Sequence, residues 1–114
     1  MSEYLTIIQK DTVELVLYTS ERETNLVTNA HLIYPKSKES DINGLLSDLD
    51  TSVIEYSHLE EKLKEWATTW LVEGFTITRM KFDVNSDNIT YKLNRLVKIA
   101  SEESKEKWTR VKIM

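Results

Sequence analysis

Hydrophobic and polar positions follow two periods along this chain, and the clearest stretch is helical. From His58 to Leu71, the residues Leu59, Leu63, Trp66, Ala67, Trp70 and Leu71 recur at spacings of three, four and seven, the apolar stripe of one helix face. Ser57 supplies an N-cap side chain, Glu60 and Glu61 complement the helix dipole, and Gly74 ends the helix. Phe75-Thr76-Ile77 then has the β-favouring alternation of a strand or extended connection, while Thr78 to Val84 fits a second short helix or a continuing strand. After the turn and helix-start cluster Asn85-Ser86-Asp87-Asn88, Ile89, Leu93, Leu96, Val97 and Ala100 follow at i, i+4, i+7, i+8 and i+11. That spacing predicts a helix. The alternative strand through Ile89, Tyr91 and Leu93 needs a bulge at Asn94-Arg95 before Val97 and Ile99 return to phase. On a helix, the same stripe leaves Asn88, Tyr91, Asn94, Arg95 and Lys98 on an opposite face that is polar and basic.

Ser101 to Glu106 reads as a polar loop, and Lys107 to Met114 alternates strictly. Trp108, Arg110 and Lys112 fall on one side, with Thr109, Val111 and Ile113 on the other. Pairing Lys98–Ser101 with this strand across the loop would make a β-hairpin. Nearer the start, Tyr4–Ile8 and Val13–Tyr18 are apolar runs that fit strands or buried helix segments. Pro35 marks a loop, Ile42, Leu45, Leu46 and Leu49 lie at helix spacing, and Val53–Tyr56 fits a strand leading into the long helix.

Composition narrows the class. One hundred and fourteen residues make one compact domain, or two very small units sharing a core at 1–56 and 57–114. With 40% apolar residues, two glycines and one proline, the chain has enough side chains for a core and is not of a disordered type. The absence of cysteine excludes disulfides, thiol nucleophiles and thiolate-ligated metals. No run approaches a membrane span, and Met1-Ser2-Glu3-Tyr4 lacks the basic start of a signal peptide, so a cytoplasmic location is expected. The net charge of −4 divides unevenly. Residues 1–74 hold six Lys/Arg against fourteen Asp/Glu, whereas residues 75–114 hold nine against five. A polyanion would be drawn to the second part if its cations share a face; the bland alternative is that the two parts attract each other or form solvated faces.

Ile42, Leu46 and Leu49 reproduce the spacing of Ile89, Leu93 and Leu96 at an offset of 47, although any two amphipathic helices share such spacing. Residues 58–114 resemble a winged helix-turn-helix module. The long helix, Phe75-Thr76-Ile77, a short element, Asn88–Lys98 as recognition helix, and a closing hairpin through Lys105, Lys107 and Arg110 match it in order. Phe82-Asp83-Val84 departs from it, and the small residue and glycine common at the helix-helix turn are missing. Two such units in one chain would be similar to TraN-type accessory DNA-binding proteins of Gram-positive conjugative plasmids. The fold expected is therefore α+β and mainly helical, a winged helix-turn-helix with internal duplication left open.

The resemblance implies a non-enzymatic protein that binds double-stranded DNA as an accessory or regulatory factor. Arg95 suits a guanine and Asn88 or Asn94 an adenine, because each side chain makes bidentate hydrogen bonds; Ser86 and Tyr91 lie on the same segment. Lys98, Lys105, Lys107, Arg110 and Lys112 would neutralise phosphates, and Trp108 would stack in a groove or pack on a helix. Enzymatic chemistry finds no support: His31 and His58 stand 27 residues apart and read as surface or capping histidines, and no phosphate-binding glycine loop or serine elbow occurs. No cofactor or metal is expected; a homodimer is open. The rival function is a small α+β protein-binding module, such as a phage inhibitor, immunity protein or assembly chaperone. There residues 75–83, 89–99 and 107–113 form a β-meander on the long helix, and the acidic part meets a basic partner.

Overall fold

The apolar runs near the start of the chain are strands, and they set the architecture. In the computed structural model, which describes residues 2–49, 55–82 and 88–113, β1 (Ser2–Lys10), β2 (Thr12–Glu21) and β3 (Val27–Pro35) form an antiparallel meander. Asp11 joins the first two in the left-handed conformation (φ 63°) that Asp tolerates better than most residues. Every residue from Leu15 to Glu21 is buried, so β2 is covered on both faces. Leu15 and Leu17 point to one side with Ile8, Ala30, Leu32 and Tyr34, while Val16 and Tyr18 point to the other with Leu5 and Ile33.

Each side is covered by one crossover. From the β3 edge, α1 (Glu39–Asp48) and α2 (Tyr56–Leu71) cross the first side and deliver the chain to β4 (Thr76–Lys81), antiparallel to β1. Leu59, Leu63, Ala67 and Leu71 of α2 are buried there with Ile42 and Leu45 of α1. Then α3 (Ile89–Ser104) returns over the second side to β5 (Trp108–Lys112), antiparallel to β3. The sheet order is β4-β1-β2-β3-β5. Its four inter-strand spacings span roughly 19 Å, and the 16 residues of α3 extend about 24 Å. One helix is therefore long enough to carry the chain from edge to edge.

This topology overturns the mainly helical winged helix-turn-helix. Residues 57–114 do not close on themselves, because β4 and β5 lie at opposite edges with the whole meander between them. No wing forms: β5 pairs with β3, and Lys98–Ser101, which would have been its partner, belongs to α3. The duplication fails as well, since the first half supplies a three-stranded meander and the second supplies only edge strands. Within 75–83, Thr76–Lys81 is strand, and residues 89–99 are helix, so the rival β-meander does not form either. The helix predicted from His58 starts at Tyr56 and ends at Leu71, where Val72 makes a tight turn closed by Glu73 N–H to the Leu71 carbonyl (2.8 Å). Glu55, not Ser57, precedes its first turn. Val53 and Ile54 of the strand expected there lie outside the described residues, as do Asp83 and Val84.

A buried charge pair fixes the β4 edge. Glu21, 2% exposed at the end of β2, accepts from the Thr19 hydroxyl (2.8 Å) and is paired with Arg79 of β4. The Arg79 guanidinium is sandwiched between the rings of Tyr4 and Tyr56, at 3.9 and 3.8 Å from their centroids. Tyr56 in turn shares a buried hydrogen bond with Thr6 (2.8 Å). One guanidinium thus links β1, β2, β4 and the start of α2. Replacing it leaves a carboxylate in the interior without its counter-charge. Arg79→Met is expected to lower unfolding free energy by about 3 kcal/mol, and adding Glu21→Leu should restore most of it, as read by urea denaturation. Equal stability of Arg79→Met and the native chain would remove the pair from this role.

Candidate functional site

The inner stripe of α3 builds its position: Leu93 is fully buried, and Ile89, Leu96, Val97 and Ala100 pack around the second core with Trp108. The helix expected from Ile89 is thus present, extended through Ser104. Its outward residues include Asn88 at the first turn, Tyr91 (67% exposed), Arg95, Lys98 and, one turn on, Glu102. Asn94, also exposed, turns toward β5, where its side-chain carbonyl accepts from Arg110 Nε (3.3 Å).

The alternation expected in the last strand holds. Trp108, Arg110 and Lys112 lie toward α3, while Val111 and Ile113 pack against the opposite core. Of the two roles expected for Trp108, packing on a helix is the one the structure shows: at 4% exposure it is a core residue, not a groove contact. Its indole N–H donates to the Ser104 hydroxyl (2.9 Å) and its backbone N–H to that of Ser101 (3.0 Å), which seats the indole under the end of α3. Lys105 ends the helix in a left-handed conformation (φ 56°), and Lys107 follows in the tight connection, both exposed. The Lys107 carbonyl accepts from the Lys36 N–H (2.8 Å), and Glu106 bonds Ser37, so this connection is tied to the end of β3. Ser86 lies outside the described residues.

Six of the proposed contact residues therefore share one layer around α3 and β5: Asn88, Tyr91, Arg95, Lys98, Arg110 and Lys112. Residues 88–113 carry seven Lys/Arg against three Glu. Across the sheet, the described residues of 39–71 carry seven Asp/Glu against two lysines. The charge asymmetry of the sequence becomes an asymmetry between two faces, with the sheet as the partition.

His31 is the residue that sequence reasoning placed wrongly. It is 6% exposed in β3, under α3, with its ring 5.9 Å from that of Tyr18. Its position one residue before Leu32 in the run Ala30–Tyr34 is the signal that it belongs to a buried strand. Arg110 donates to His31 Nδ1 (2.8 Å), and since a guanidinium cannot accept, the imidazole is neutral with its proton on Nε2. Burial, then the charges of Arg110 and Lys112, push its pKa down to about 4. Burial also pushes the neighbouring Tyr18 hydroxyl up to about 12, with the Glu3 carboxylate adding to the shift.

Protonating His31 would break its bond to Arg110 and set two cations against each other. Between pH 6.5, where an unfolded histidine titrates, and the folded value near 4, the unfolded chain binds more protons, so stability falls as pH falls. His31→Gln should remove a contribution of about 2 kcal/mol to that loss between pH 7 and pH 4.5, leaving the carboxylate contribution. The check is the difference in unfolding free energy between pH 7 and pH 4.5 for both proteins; identical differences would show that His31 is not depressed.

Among the described residues no helix is long and apolar enough to cross a membrane. No protein-family model, curated protein or solved structure matches the chain, so the chemistry of its surfaces alone speaks to function.

Proposed function

We propose that the protein is a non-enzymatic DNA-binding protein of the cytoplasm that meets duplex DNA with the α3–β5 layer. The observation that carries this reading is the gathering of seven Lys/Arg onto the layer formed by residues 88–113, backed by an acidic layer on the far side of the sheet. A polyanion approaching such a molecule is steered to one face and repelled from the other.

The binding mode differs from a helix and wing. The outer stripe of α3, Asn88, Tyr91, Arg95 and Lys98, meets the major groove, whose width of about 12 Å admits a helix. Arg95 is the group suited to guanine and Asn88 to adenine. Arg110 and Lys112 on β5, with Lys105 and Lys107 at the helix end, face the flanking phosphates. Asn94 serves as a support, because its carbonyl oxygen already orients Arg110.

Anisotropy of a labelled random-sequence duplex at about 50 mM and 200 mM salt tests this without knowledge of a specific site. Affinity should fall with salt, and Arg95→Ala with Lys98→Ala should weaken binding about tenfold and reduce the logarithmic salt slope by roughly two. Lys62→Ala with Lys64→Ala, on the other layer, should leave binding unchanged. No binding at the lower salt, or equal loss from both pairs, would reject the α3–β5 layer as a DNA surface.

A further inference from the structure

The acidic layer carries a built groove of its own. Between α1 and α2 lies an open cleft of 540 Å³ whose floor is formed by Trp66 and Trp70, with ring centroids 4.4 Å apart. Asp41 and Asp48 line it from α1 and Glu65 from α2, with Lys62 paired to Glu65 (3.4 Å) as its cation. The Trp66 indole donates to the Asp41 carbonyl (3.1 Å), which holds that ring in place and keeps the two helices in register.

Two features distinguish this cleft from ordinary space between surface helices. Gly44 stands in the interior of α1, where glycine is disfavoured relative to alanine, yet a Cβ built there would meet nothing within 4 Å. No packing demand explains the glycine, and its effect is to leave the cleft open above the tryptophans. Moreover, Lys38 already places its ammonium 5.4 Å from the centroid of the Trp70 ring, so this aromatic floor accepts a cation in the protein as it stands.

We infer that the α1–α2 groove is a docking site for an arginine-bearing segment of a partner protein. A guanidinium is planar, stacks on indole faces and forks onto carboxylates, which matches a floor of two tryptophans walled by Asp41, Asp48 and Glu65. The charge complementarity is local as well as global, since the whole α1–α2 layer is acidic. Lys38 acts as an internal competitor for the Trp70 face. The site is on the opposite side of the sheet from the DNA surface, and it stands or falls separately from that reading.

A tetra-arginine peptide is the probe, with tetra-glutamate as control, followed by the indole N–H signals in two-dimensional NMR. Addition should shift the signals of Trp66 and Trp70 and leave that of Trp108, buried in the other layer, unmoved. Gly44→Met, which fills the cleft at a position with free space, should weaken the peptide at least about tenfold while the unfolding midpoint stays or rises. Trp70→Leu should weaken it about threefold, and Lys38→Met should tighten it by a similar factor. Equal shifts from tetra-glutamate, shifts centred on Trp108, or undiminished binding to Gly44→Met would overturn the proposal. So would concentration-dependent self-association in sedimentation that Gly44→Met abolishes, which would assign the groove to a second copy of this chain.

Discussion

Strand β2 requires cover on both faces, and the rest of the structure answers that requirement. Seven consecutive buried residues from Leu15 to Glu21 cannot be satisfied by an antiparallel sheet with one wet face. The chain therefore passes over the meander twice, once as α1 and α2 and once as α3, and each passage ends in a strand that closes the opposite edge. Burial of Tyr18 and Ile33 on one side is as complete as that of Leu17 and Leu32 on the other. Among the described residues each helical layer packs its main apolar stripe on the sheet.

Electrostatic division follows from this layering. Opposite charges lie on opposite sides of an apolar sheet, where few of them can neutralise one another at contact distance. Along α2, Lys62–Glu65 and Lys64–Glu60 pair at the surface, whereas Glu21 with Arg79 is isolated by the structure: the carboxylate is buried, and two tyrosine rings cover the guanidinium. Arg79 is consequently spent on holding β4 in place and is lost to the basic surface, although its sequence position groups it with the cations of the last forty residues. Across the sheet, His31 and Arg110 share a hydrogen bond that depends on a neutral imidazole. Each link joins residues far apart in sequence and uses polar groups where an apolar contact would have been simpler.

Local periodicity made the helices legible, and long-range pairing hid the fold. Leu59, Leu63, Ala67 and Leu71, and likewise Ile89, Leu93 and Leu96, mark α2 and α3 because a helix face is defined within a few turns. The alternation from Trp108 to Lys112 likewise marks β5. Nothing within those segments says that β5 lies beside β3, since the partner of Ile33 is Arg110 and the intervening chain carries no signature of pairing order. The double-sided burial of β1 and β2 was the available signal: their runs of adjacent apolar residues leave no polar face, which argues against a small wing or a sheet covered on one side. For the basic layer, the exposed residues of α3 were readable from its stripe. Packing on a helix was one of two roles open for Trp108, while the burial of His31 was not legible, because it depends on which element lies above it.

The sheet order also has a kinetic consequence. His31 and Arg110 are 79 residues apart, and Glu21 and Arg79 are 58 apart, so neither edge closes until distant parts of the chain have met. The meander can assemble from neighbouring strands, but while it waits it presents apolar residues on both faces. Such topologies fold slowly for their size, because the entropy of closing long loops is lost before the contacts that reward it are made. A bare meander formed ahead of its helical layers would be prone to association with other chains. The arrival of α2 shields one face, and the docking of α3, with β5 behind it, shields the other.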